Sequence, residues 1–76
     1  MTHVDGAKMR RLREAAGFTR ETFIIRAHEL GYDLTSRTVA ALETSEGGGD
    51  ARISTVRAVS AVLGVRIEDL LVDDAA

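Results

Sequence analysis

The chain has 76 residues, no cysteine and a net charge of −2. It makes one small domain, which buries only about 60% of the surface its unfolded chain exposes, and neither disulfides nor a cysteine-based zinc site can staple it. No apolar run approaches the ~20 residues of a membrane span and no signal-peptide core is visible, so a cytoplasmic protein is expected, with dimerisation as a natural supplement to a small core.

The charge is unevenly spread. Residues 1–45 carry Lys8, Arg10, Arg11, Arg13, Arg20, Arg26 and Arg37 against six acids, a balance of +1, whereas residues 46–76 carry Arg52, Arg57 and Arg66 against six acids, a balance of −3. The first part is the less acidic one without being a strong basic patch, and any binding to phosphates through it is salt-sensitive in proportion to the contacts made. All bases but Lys8 are arginine, which suits bidentate contacts to phosphate or guanine.

Met1 to Asp5 reads as a loose arm, with His3 a surface side chain rather than a ligand. A first helix is expected from Asp5 or Gly6 to Ala16: Met9, Leu12 and Ala16 follow the 3.6-residue period, and Gly17 suits the position just beyond a helix end. Arg10 and Arg11 fall on the outer side, and Arg13 borders the apolar stripe. Thr19 is a candidate N-cap for a second helix, with Phe18 and Phe23 spaced as a hydrophobic staple. Phe23, Ala27 and Leu30 form its expected buried stripe, flanked by Ile24, with Arg20 and Glu21 exposed in the first turn. His28 lies on a polar face, where a solvated or hydrogen-bonded imidazole is the default. Gly31 ends the helix, Tyr32-Asp33-Leu34 makes a turn that sends Leu34 inward, and Tyr32 covers the edge of the core.

Thr35 or Ser36 caps a third helix that ends near Ser45, before the breaker run Glu46-Gly47-Gly48-Gly49-Asp50. No lysine follows these glycines in P-loop spacing, so the run is a loop and not a nucleotide cradle. Ile53, Val56, Val59, Val62 and Leu63 mark a fourth helix that ends at Gly64, with Asp50 or Ser54 as its cap. A short fifth helix, Arg66 to Leu71, carries Ile67, Leu70 and Leu71. The acidic tail 72–76 is expected to fray. With no convincing alternating strand, the expected fold is all-α, a compact bundle of about five short helices forming a single domain over 1–76, core 6–71, flexible over 1–5 and 72–76.

The third helix is the informative one. Val39 and Leu42 point inward, which leaves Ser36, Arg37, Ala40, Ala41 and Thr44 mostly outward. This face is small and hydroxyl-bearing, with one arginine. A merely solvated helix more often carries Glu/Lys pairs four apart, whereas Ser, Thr and Arg can donate to phosphates and base edges, and Ala can meet a thymine methyl. Two readings stand: a recognition helix lying in a DNA major groove, or a short amphipathic helix that is simply poor in charge. An enzyme is not expected. There are no paired carboxylates in a plausible pocket, no supported Ser/His/Asp set, no metal-ligand cluster and no cofactor motif, and a bundle this small offers little concavity.

Three stretches in order, Met9-Arg10-Arg11-Leu12-Arg13-Glu14-Ala15-Ala16-Gly17-Phe18-Thr19, Thr38-Val39-Ala40-Ala41-Leu42-Glu43, and Val56 to Leu71, resemble the phage-repressor and Cro-like (XRE) helix-turn-helix family over about Gly6 to Leu71. The resemblance implies a lambda-repressor-like helix-turn-helix domain that binds a double-stranded DNA operator as a homodimer. It implies a pair between Arg13 and Glu43, base contacts from Ser36, Arg37 and Ala41, with Arg20 at the start of the second helix where many members carry Gln, and phosphate contacts from Thr19, Thr38 and Thr44, with Thr35 at the helix start. The segment 28–34 is longer than the family's tight turn, and the family's basic loop after the third helix is missing, with Arg52 as a substitute. The fifth helix, 66–71, either forms a dimer seam or closes the monomer core. A second function on the same scaffold is a protein-interaction module (an antitoxin, anti-repressor or adaptor), which the acidic balance and the missing basic loop favour.

Overall fold

Capping side chains and glycines mark most of the helix ends. The computed structural model describes residues 2–44 and 49–71, as strand β1 (Thr2–Val4), helices α1 (Gly6–Ala15), α2 (Arg20–Glu29) and α3 (Ser36–Thr44), strand β2 (Gly49–Ala51), helix α4 (Ile53–Leu63) and a closing 3-10 helix (Ile67–Leu70). The Asp5 carboxylate accepts from the backbone N–H of Lys8 at 3.1 Å and caps α1. Thr19 caps α2 reciprocally: its hydroxyl accepts from Thr22 N at 3.2 Å, and the Thr22 hydroxyl accepts from Thr19 N at 2.8 Å. Ahead of that cap the Phe18 and Phe23 rings meet edge to face, centroids 5.8 Å apart, as the staple spacing predicts. Gly17, Gly31 and Gly64 follow α1, α2 and α4 at positive φ, where an L side chain is strained.

The domain is mainly helical, as expected, and its core gathers apolar side chains from every element: Val4, Met9, Phe23, Ala27, Leu34, Val39, Leu42, Ala51, Val56, Ala58, Val59 and Leu70 are all buried. α1 packs on α3, α2 on α3 and α4, and the 3-10 helix on α4 and α1. The α1–α3 approach is close because Gly6 is buried in it: a Cβ there would overlap the carbonyl oxygen of Leu42. No helix among the described residues is long and apolar enough to cross a membrane.

Several expectations are corrected. Thr2–Val4 is not a loose arm. It pairs antiparallel with Gly49–Ala51, Thr2 opposite Ala51 and Val4 opposite Gly49, and Val4 is buried. A three-residue strand is too short to show alternation in sequence. Gly49 and Asp50, read as part of a loop, lie in β2; the rest of that loop, 46–48, the expected helix end near Ser45 and the tail 72–76 lie outside the described residues. Ala16 and Leu30 are exposed, each at a helix end where the period carries it off the core, and Arg13 takes the place in α1's buried stripe expected for Ala16. The residue capping α4 is Arg52, with no side-chain hydrogen bond, rather than Asp50 or Ser54. Ile53 is exposed at that helix start. The fifth helix is a single 3-10 turn: Leu70 is fully buried, its carbonyl accepts from Asp5 N at 2.8 Å, and Leu71 bridges Val4.

Candidate nucleic-acid interface

The site is built on α3. The Thr35 hydroxyl accepts from the backbone N–H of Thr38 at 3.2 Å and donates to the Thr38 hydroxyl at 3.0 Å, so Thr35 is the side chain that starts the helix. The preceding segment is tied back to α2. The carbonyl of Leu34 can only accept, so the His28 imidazole donates to it through Nε2, at 2.8 Å. This bond and the burial of Leu34 fix the long connection between α2 and α3.

α3 buries Val39, Leu42 and Glu43. Its outer face exposes Ser36, Arg37, Ala41 and Thr44, with Thr38 and Ala40 half-buried beside them. The Thr44 hydroxyl donates to the carbonyl of Ala40 at 2.8 Å. Among the described residues Arg37 has no ion-pair or side-chain hydrogen-bond partner. Thr19 and Thr35 are exposed, but their hydroxyls serve as helix caps.

Glu43 is the only acid on α3, and the fold turns it inward. Its side chain is fully covered. Arg13 Nε donates to Oε2 at 2.7 Å and Nη2 to Oε1 at 3.0 Å, a two-pronged pair, while Arg13 Nη1 donates to the carbonyl of Phe18 at 2.8 Å. The hydrogen bond to Glu43 is the main reason the Arg13 guanidinium is held above its ordinary pKa; burial opposes the shift, and attraction to Glu43 and Glu14 adds to it. Among the described residues, no buried side-chain polar atom lacks a partner. Arg20 was expected to stand exposed. Instead it is partly covered, and its Nε donates to Glu43 Oε1 at 3.4 Å. Only the tertiary approach of α2's start to α3's end reveals this pairing, because Arg20 and Glu43 are 23 residues apart.

Beside the α3 face runs an open groove of about 770 Å³, lined among others by Tyr32, Asp33, Arg37, Thr38, Arg52 and Ser54. It brings Arg52, expected as the substitute for a basic loop, and Arg37 to one groove, and adds Ser54 and Thr55 from the start of α4, which the sequence does not single out for binding. Their signal in the sequence is slight: two hydroxyls in a helix start that no side chain caps. Asp33 is an exposed acid on the groove wall. Among the described residues no three His, Cys, Asp or Glu side chains are grouped to hold a metal ion. Comparisons with protein-family models, with curated proteins and with solved structures find no match to this chain.

Proposed function

We propose that this protein is a sequence-specific, double-stranded-DNA-binding transcriptional regulator of the cytoplasm, repressor-like, with α3 as the helix that enters the major groove. One observation carries the reading: the single acid of α3 is buried and neutralised, so the helix presents a small, hydroxyl-bearing surface whose only formal charge is Arg37, unpaired among the described residues. Such a face can approach base edges closely and brings no carboxylate against the polyanion. A nine-residue helix is about 13 Å long, enough to place two to three turns across a groove ~12 Å wide. Arg52 beside the groove supports contact with a flanking strand. The protein acts as a homodimer on an inverted repeat, its half-sites about one helical turn, ~34–36 Å, apart. Leu70 is committed to the monomer core, so Ile67 and Leu71, both half-buried, are the residues of the closing segment left for a seam.

Selection of bound sequences from random DNA tests binding and half-site spacing together. On the selected site, Arg37→Ala lowers affinity by ~1–3 kcal/mol and relaxes base preference at one position. An equal loss on selected and random duplexes contradicts a base-reading role. The alternative, a protein-interaction module on the same scaffold, draws support from the exposed Ile25, Leu30 and Ile53. Absence of any DNA complex at low salt favours that alternative.

A further inference from the structure

We infer that Glu43 is a positioning residue for Arg20, holding that guanidinium from behind so that its free end meets the DNA backbone; the inference rests on the DNA-binding reading above. Arg13 alone completes the buried pair, since its fork reaches both carboxylate oxygens, at 2.7 and 3.0 Å. Arg20 is a second cation on an anion already neutralised, and the cluster of two arginines and one glutamate keeps a charge of +1.

Nor does Arg20 suit its own helix. It is the first residue of α2, immediately after the Thr19 cap, where the positive end of the helix dipole disfavours a cation. A residue that works against local stability, at a place where many side chains are tolerated, points to a use outside the fold. Its geometry agrees. Glu43 Oε1 holds only Nε, at 3.4 Å; the side chain is 39% exposed, and among the described residues no acceptor is hydrogen-bonded to its terminal nitrogens. Those two nitrogens form a planar fork that fits the paired oxygens of a phosphodiester. Glu43 thus links the α1–α3 joint to a DNA contact: the carboxylate that fixes the tilt of α3 also fixes the plane of Arg20.

The test is a binding cycle on the selected duplex with the full chain, its Arg20→Ala variant, the paired Arg13→Leu/Glu43→Leu variant, which leaves no buried charge unpaired, and the combination of the three substitutions. Melting temperature and salt dependence are measured alongside. Arg20→Ala is expected to weaken binding roughly tenfold and reduce the salt slope by about one, with the melting temperature unchanged or raised. Arg13→Leu/Glu43→Leu is expected to weaken binding several-fold when Arg20 is present and distinctly less when it is alanine, the remaining loss being what the pair contributes through the tilt of α3.

Equal losses in the two backgrounds mean that Glu43 acts only through the fold, and overturn the inference while leaving DNA binding standing. Arg20→Ala that binds like the parent overturns it too, whether or not the paired variant folds. A loss confined to sites with one particular base pair assigns the fork to a guanine and overturns the phosphodiester contact. A parent chain that binds no duplex at low salt overturns the DNA reading and this inference together.

Discussion

The joint between α1, α2 and α3 and the packing of α4 with the closing 3-10 helix do the same task with different chemistry. At the first, besides apolar contact, α1 and α3 are joined by a directional, two-pronged ion pair whose arginine also holds the segment ahead of α2 through the Phe18 carbonyl. At the second, Val56, Ala58, Val59 and Leu70 bury aliphatic surface, and the 3-10 helix is tied by a backbone bond to the residue ahead of α1, Asp5 N to the Leu70 carbonyl. Aliphatic packing sets how closely elements approach and leaves rotation comparatively free, whereas a fork of N–H groups on a carboxylate fixes orientation as well. The directional joint is found behind the helix proposed to read DNA, where a small rotation would move Arg37 off a base edge.

The sharpest way to break this contrast is Glu43→Ala. It leaves the Arg13 guanidinium buried without its anion and is expected to destabilise by about 3–5 kcal/mol in urea unfolding, while Arg13→Leu/Glu43→Leu is expected to be near neutral. A small effect of the single substitution would mean that the pair contributes little and that α3 is held by apolar contact alone. In the other region, Leu70→Ala is expected to cost about 2–5 kcal/mol through lost burial and the cavity left behind, with a cooperative transition retained. Loss of cooperativity there would mean that α4 and the 3-10 helix form a separate unit, and the comparison would become one between subdomains. Smallest is Thr19→Ala at the start of α2, expected to lower stability by about 1 kcal/mol in thermal melts. A larger loss would show that the cap is coupled to the neighbouring Arg20–Glu43 contact.

Much of the helical framework is legible in the residues. The Phe18-Thr19 pair announces a staple and a cap, three glycines mark helix ends, and the period of Phe23, Ala27, Val39, Leu42, Val56 and Val59 picks out interior positions. What is not legible has physical reasons. Leu30 and Ile53 lie at helix ends, Leu30 just past α2 and Ile53 the first residue of α4, and both are exposed. The β1–β2 ribbon depends on pairing residues nearly fifty positions apart, and α4 begins without any capping side chain to mark it. For the candidate site, the outward placement of Ser36, Arg37, Ala41 and Thr44 follows from helical spacing once Val39 and Leu42 are set inward. The Arg20–Glu43 contact does not, because a charged residue in a first turn reads as solvated until the fold brings an anion behind it.

The bridge between Val4 and Leu71, with the bond from Asp5 to Leu70, has a consequence for how the protein is made. Val4 and Asp5 precede α1, whereas their partners, Leu71 and Leu70, come after α4. A nascent chain can form its early helices while still tethered, but it cannot shut the domain until Leu70 and Leu71 have left the ribosomal tunnel. Closure is therefore expected to come only after all four α-helices have been made, with apolar side chains exposed to chaperones until then.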